Sequence, residues 1–268
     1  MGTATMLEIA RYDGRNRLRG SVYLAIAMSV LAVVVIWIYP SFSDSFDDVD
    51  EELLQAYPDE VIQLFDVQTM ATLEGFLAFE LYIFGWTILL GLYLAYLAAG
   101  AIADDIERGR MDILLSMPIS RNRTVLEKFL ALGVPIVVVN VLTPIVVYVS
   151  AELVDEPLSA VDVVAVHALS VPYLFACASI GLAASVAVDR TSIAQRAALG
   201  VTFGLFMLES LLVDTEYDAV GTIAPMRYYD PNEILLNSTY DLGNVGVLVV
   251  MTVVLVAVSV AWFDRRDV

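Results

Sequence analysis

The chain has 268 residues, is 59% hydrophobic and carries a formal charge of −18. It is too apolar for a water-soluble domain, and reads as a protein that crosses a bilayer several times. Its acidity excludes nucleic acid as a partner, because phosphate binding needs clustered Lys and Arg. The single cysteine, Cys177, allows neither a disulfide framework nor a cysteine metal cluster. Basic residues are 13 Arg and the lone Lys128, against 19 Asp and 13 Glu. An acidic, Lys-poor surface stays hydrated in strong brine, which points to a salt-loving archaeal source.

In chain order, the arm Leu7 to Arg19 is basic and partly amphipathic. It is expected to lie flat on the inner leaflet as an N-terminal interfacial helix. Six apolar segments follow, at 21–40, 76–103, 127–151, 162–188, 197–213 and 245–263. Each approaches or exceeds the roughly 20 residues that span a bilayer at about 1.5 Å per residue. The first run is too long for a signal-peptide core, and five more spans follow it. The fold expected is an all-α membrane protein of six transmembrane helices in a single domain.

Of the 14 Arg and Lys residues, 13 precede the first span, follow the last, or lie between spans two and three or four and five. Only Arg227 falls on the other face. By the positive-inside rule both termini are cytoplasmic, in a plasma-membrane protein. The opposite face holds 20 of the 32 acidic residues and reads as a solvated, salt-adapted exterior. Its loop 41–75 is expected to be partly helical, with Asp50 as a cap. Its loop 214–244 carries Pro225, Tyr228, Tyr229, Pro231 and a glycosylation triplet at Asn237.

The charged interval between spans two and three stands out. Met111 to Pro118 is short, apolar on one side and closed by a helix-breaking proline. That is the pattern of a small surface helix that presses into another protein. Thr124 with Glu127, and Ser192 with Gln195, have capping-box spacing ahead of spans three and five.

Within the spans, Gly200 and Gly204, and the stripe Gly91, Ala95, Ala99, permit close helix contact. Packing inside one protomer is expected, with a dimer seam as the alternative. Pro135 and Pro144 flank Asn140, and Pro172 interrupts span four. Glu80, Asn140, His167 and Glu209 are the candidates for a translocation path, although each also has an ordinary structural reading. There is no phosphate-binding loop, since Lys128 is preceded by Glu127, and no nucleophilic-serine elbow or His-Glu-x-x-His motif. The chain is read as neither a nucleotide-binding protein nor a hydrolase.

The stretch Ile102 to Arg121, with Lys128 beyond it, resembles the first cytoplasmic loop of ABC type-2 transporter permeases. Glu107, Gly109, Leu114, Leu115, Pro118, Ser120, Arg121 and Lys128 fill the family's pattern. Ala224 to Pro231 looks like the aromatic, proline-bearing loop of the branch tied to nitrous-oxide-reductase maturation and sodium or drug export. The resemblance implies an export permease that pairs with a second or sister copy and sits on two separate ATPase subunits. ATP and Mg would be bound by those ATPases, with no cofactor on this chain. Residues 104–121 would form the coupling helix, and 189–196 a lesser contact. The interface residues would be Glu107, Gly109, Met111, Ile113, Leu114, Leu115, Met117, Pro118 and Arg121, with transport by alternating access. An ATP-independent secondary transporter or channel is the alternative. It would call for mid-span charges and repeat symmetry. An intramembrane enzyme and a scaffold are the remaining readings.

Overall fold

The computed structural model describes residues 7–46, 68–116, 119–213 and 215–266. Among them no strand occurs, and six helices are long and apolar enough to cross a membrane. The expected cap at Asp50, and Met117 and Pro118, lie outside the described residues.

Helix α1 runs Glu8–Phe46. The basic arm is therefore the first turns of the first span, with no break to make it a separate interfacial helix. No proline precedes Pro40 to interrupt it, and tertiary contact holds the arm. Ile9 is buried, and a Cβ at Gly14 would come within 3.1 Å of Val134.

The second span is composite. Helix α2, Leu73–Leu77, is capped by the Thr72 hydroxyl and runs into a π-helical stretch, Ala78–Leu90. Helix α3, Gly91–Glu107, completes it. The wider π turn lets the Thr87 hydroxyl donate to the Tyr82 carbonyl at 3.0 Å. Then come α4 Arg110–Ser116, α5 Arg121–Ala131, α6 Gly133–Leu153 and α7 Ala160–Ala187. Helix α8, Thr191–Leu212, leads to the short α9, Asp218–Gly221, and a 3-10 turn, Pro225–Tyr228. Helices α10, Pro231–Leu235, and α11, Leu242–Asp264, close the chain.

Neither expected capping box forms. Ser120 caps α5, accepting from the Arg123 N–H at 3.3 Å. Thr124 lies one turn inside and donates its hydroxyl to the Ser120 carbonyl at 3.2 Å. No breaker separates the two, so the helix extends back to the earlier hydroxyl. Ser192 is likewise already inside α8, whose N-cap position is Arg190.

The core lies where α3 crosses α7. A Cβ at Gly181 would overlap the Ala95 carbonyl oxygen, and one at Gly91 would come within 2.8 Å of the Tyr173 hydroxyl. The Ser185 hydroxyl accepts from the Ile102 and Ala103 N–H groups at 2.9 and 3.0 Å, so the two backbones nearly touch. The Gly91, Ala95, Ala99 stripe is used inside the protomer, as expected. Gly200 and Gly204 are not: both are exposed, and among the described residues a Cβ there would meet nothing within 4 Å. Helix α8 turns Ala194 and Ala198 toward Ala99 and Ala103 instead.

At the acidic end, the segment after α9 folds back into the bundle. Tyr229 stacks on Tyr173 with ring centroids 5.4 Å apart and donates to the Val166 carbonyl at 3.0 Å. Ser238 and Tyr240 both donate to the Asp162 carboxylate, which holds the Tyr240 hydroxyl proton more tightly than usual.

Candidate coupling site on the basic face

The site begins where α3 stops. Gly109 has φ +66°, a left-handed conformation that only glycine adopts at little cost. Its N–H bonds the Ile106 carbonyl at 3.0 Å. That turn lays α4 across the end of the bundle. Met111 points inward and is 1% exposed, packed with Ile102, Val125, Phe129 and Phe263. Leu114 and Leu115 are half-buried on the same cluster. Ile113 faces out and is 67% exposed. The apolar plug expected from the sequence is thus divided into an anchor and an outer surface.

Charges pin this helix from below. Asp105 bonds Arg110 at 2.7 Å and Lys128 at 2.5 Å, and Lys128 reaches Asp13 of α1 at 3.1 Å. Asp104 pairs with Arg108 at 2.7 Å and with Arg110 at 2.5 Å. Asp105, first among its partners, holds the Arg110 proton above its ordinary range. Lys128 is 5% exposed, and at that depth a charge is tolerated only when paired. The network joins α1, α3, α4 and α5.

Two carboxylates extend the join across the chain. Glu127 accepts from the Ile9 and Ala10 N–H groups at 2.8 and 3.2 Å, and so caps α1, far away in sequence. Glu107 accepts from the Thr191 N–H at 2.9 Å, and so caps α8. Both meet the unfilled N–H groups and positive end of a helix start. Arg121 donates to the Arg266 carbonyl, and Arg266 donates to the Val186 carbonyl at 2.6 Å and to Asp189. The interval 104–128, the 189–196 turn and the near ends of α1 and α11 are therefore bonded together. Between α1 and α4 lies a cavity of about 600 Å³, with Ile9, Tyr12, Ile113 and Leu114 as walls and Asp13, Asp105, Arg110 and Lys128 also lining it. Among the described residues, no three His, Cys, Asp or Glu side chains gather to hold a metal.

The family model described as ABC-2 family transporter protein matches residues 7–268. The chain belongs to the ABC-2 transporter family. No curated protein matches it. It is a multi-pass membrane subunit of an ABC transporter, in a family that works with separate ATPase subunits and is generally not catalytic itself.

In this ABC-2 permease the four candidate path residues do not come together as one site. Asn140 and His167 line a single cavity between α6 and α7. Glu80 is half-buried at the start of the π stretch. Glu209 is buried at the far end of α8, 3.4 Å from Arg227, which also holds Asp218 at 2.7 Å. Gly221 packs so close to Glu209 that a Cβ there would overlap the carboxylate. Arg227, alone among basic residues on the acidic face, is thus committed to an ion pair. Sequence reasoning missed Asp13 and Asp105 as partners of Lys128, and Trp86 and Ser170 beside His167. A single lysine at the start of an apolar span was the available clue to the first group.

Proposed function

We propose that the chain is the permease of an ABC exporter, and that a separate ATPase docks on α4 and the adjoining cavity. In this reading the basic face and both termini are cytoplasmic, in the plasma membrane of a salt-loving archaeon. ATP and Mg sit on the ATPase, and a second permease copy completes the assembly. One observation carries the proposal: an exposed apolar residue, Ile113, on a short helix whose other side is fixed by buried Met111 and by the ion pair of Arg110 with Asp105, which also holds buried Lys128. A push on such a helix is passed to α1, α3 and α5 through charges, and to α8 through Glu107. ATP needs only to favour one arrangement of these helices by differential contact for access to alternate.

The interface divides accordingly. Ile113, with parts of Leu114 and Leu115, meets the partner. Glu107, Gly109, Met111 and Arg121 hold the platform. The test is co-purification with a co-expressed ABC ATPase that binds the wild-type permease. Ile113→Asp is expected to release the ATPase while the permease elutes unchanged. Retention of the ATPase at wild-type stoichiometry would show that α4 is not the dock.

A further inference from the structure

The cavity between α6 and α7 has a chemistry that docking does not use. It measures about 560 Å³, and its walls are mostly aliphatic, with Val137, Val141, Ile145 and Val164 among them. Among the described residues, no Asp, Glu, Lys or Arg borders it. Val137, Val141, Ile145 and Val164 are all exposed on the surface of the bundle, so the cavity faces lipid.

Its polar features are the Tyr148 hydroxyl, which bonds the Glu152 side chain, and a set of groups that are mainly acceptors. His167 donates from Nδ1 to the Val163 carbonyl at 2.8 Å. In the neutral ring that leaves Nε2 with an open lone pair, and Nε2 is buried without a partner. Pro144 and Pro172 have no N–H, so the Asn140 and Ala168 carbonyls lose their i+4 helix donors. Asn140 and Ala168 both lie on the cavity wall. Asn140 donates one amide N–H to the Ile136 carbonyl at 2.9 Å and accepts from Ser170 at 2.8 Å, which leaves its second N–H available. Tyr82 and Trp86 hold the His167 ring edge-on, at 5.4 and 4.9 Å. Trp86 Nε1 donates to Ser170 at 3.0 Å.

His167 lies roughly 10 Å from the Ala160 end of α7, and Asn140 roughly 20 Å from the Leu153 end of α6, at about 1.5 Å per residue. A phosphate or carboxylate would have to shed its hydration at that depth. A plain acyl chain would fill the groove but leave its acceptors unused. We propose that this cavity binds a neutral, mainly apolar molecule bearing one hydroxyl. The hydroxyl donates its one proton to His167 Nε2 and accepts the second Asn140 N–H. The site is reached from the bilayer and does not depend on an ATPase.

The test uses the purified full chain in phosphatidylcholine nanodiscs, photolabelled with a diazirine-bearing octanol. Label is expected within 137–149 and 160–171. Octanol should displace it about tenfold better than octane or octanoate, the value of one well-formed hydrogen bond to a buried acceptor. His167→Phe keeps the ring packing and should remove that preference. Val164→Trp, on the outer wall, should block labelling and serves if the first variant does not fold. Equal displacement by octane would reduce the site to a lipid groove. Equal displacement by octanoate, or wild-type behaviour of both variants, would overturn the proposal. Ile113→Asp should label normally, so loss of ATPase docking and loss of this site are separable.

Discussion

Helices α3 and α8 both carry small residues at four-residue spacing, yet they are held in opposite ways. Along α3, Ala95 of the stripe meets Gly181 and Ser185 bonds the backbone beyond it, so the two backbones close on each other. Along α8, Gly200 and Gly204 meet nothing. Helix α8 packs instead through Ala194 and Ala198 against Ala99 and Ala103, and charge holds its ends, through Glu107 at one end and the Glu209, Arg227 and Asp218 cluster at the other. A small-residue stripe licenses close approach, and whether approach occurs depends on a matching gap in another helix.

Substitutions can break this contrast. Gly181→Val should have the largest effect, because its side chain would overlap the Ala95 carbonyl. The expected loss exceeds about 3 kcal/mol, with little folded permease recovered by size-exclusion chromatography. Gly91→Ala presses on the Tyr173 hydroxyl, which can shift, and should cost about 1 kcal/mol in thermal unfolding. Gly200→Ala and Gly204→Ala in detergent-solubilised monomer should be neutral or stabilising by up to about 1 kcal/mol each, from helix propensity alone. A clear destabilisation would mean that the outward face of α8 is covered. Gly204→Trp then asks by what: loss of self-association with an intact fold would identify a second copy as the cover.

The smallest effect sharpens the charged side of the contrast. The Arg227 guanidinium holds the Asp218 carboxyl below its usual range. A depressed folded-state value means the stabilisation is present above the unfolded carboxylate range and disappears as pH falls through the folded value. Wild type should therefore melt higher than Asp218→Asn at neutral pH, and the gap should close in acid. No such pH-dependent gap is expected between wild type and Gly91→Ala. A gap that ignored pH would remove the ion pair as the fastening of α8.

Much of the architecture was legible in the sequence. The six apolar runs match the six long helices because hydropathy is a property of each segment alone. The interval after Glu107 was legible as a surface helix for the same reason, whereas the turn at Gly109 was not. Roles that need a second helix were not legible. Glu127 has capping-box spacing to Thr124, but it caps α1, and the first residue with a suitable hydroxyl, Ser120, begins α5. Met111 and Ile113 look alike in sequence, and only the cluster around Phe129 and Phe263 decides which is buried.

By itself, then, the sequence determined the class of protein, the number of spans, the uneven division of charge between the two faces and the short helix between spans two and three. All of these follow from local composition and short-range spacing. The tertiary structure decided which stripe is a seam, which carboxylate caps which helix, and that Asn140 and His167 share a cavity while Glu80 and Glu209 stand apart. Those outcomes depend on which backbone arrives opposite, and no single segment carries that information.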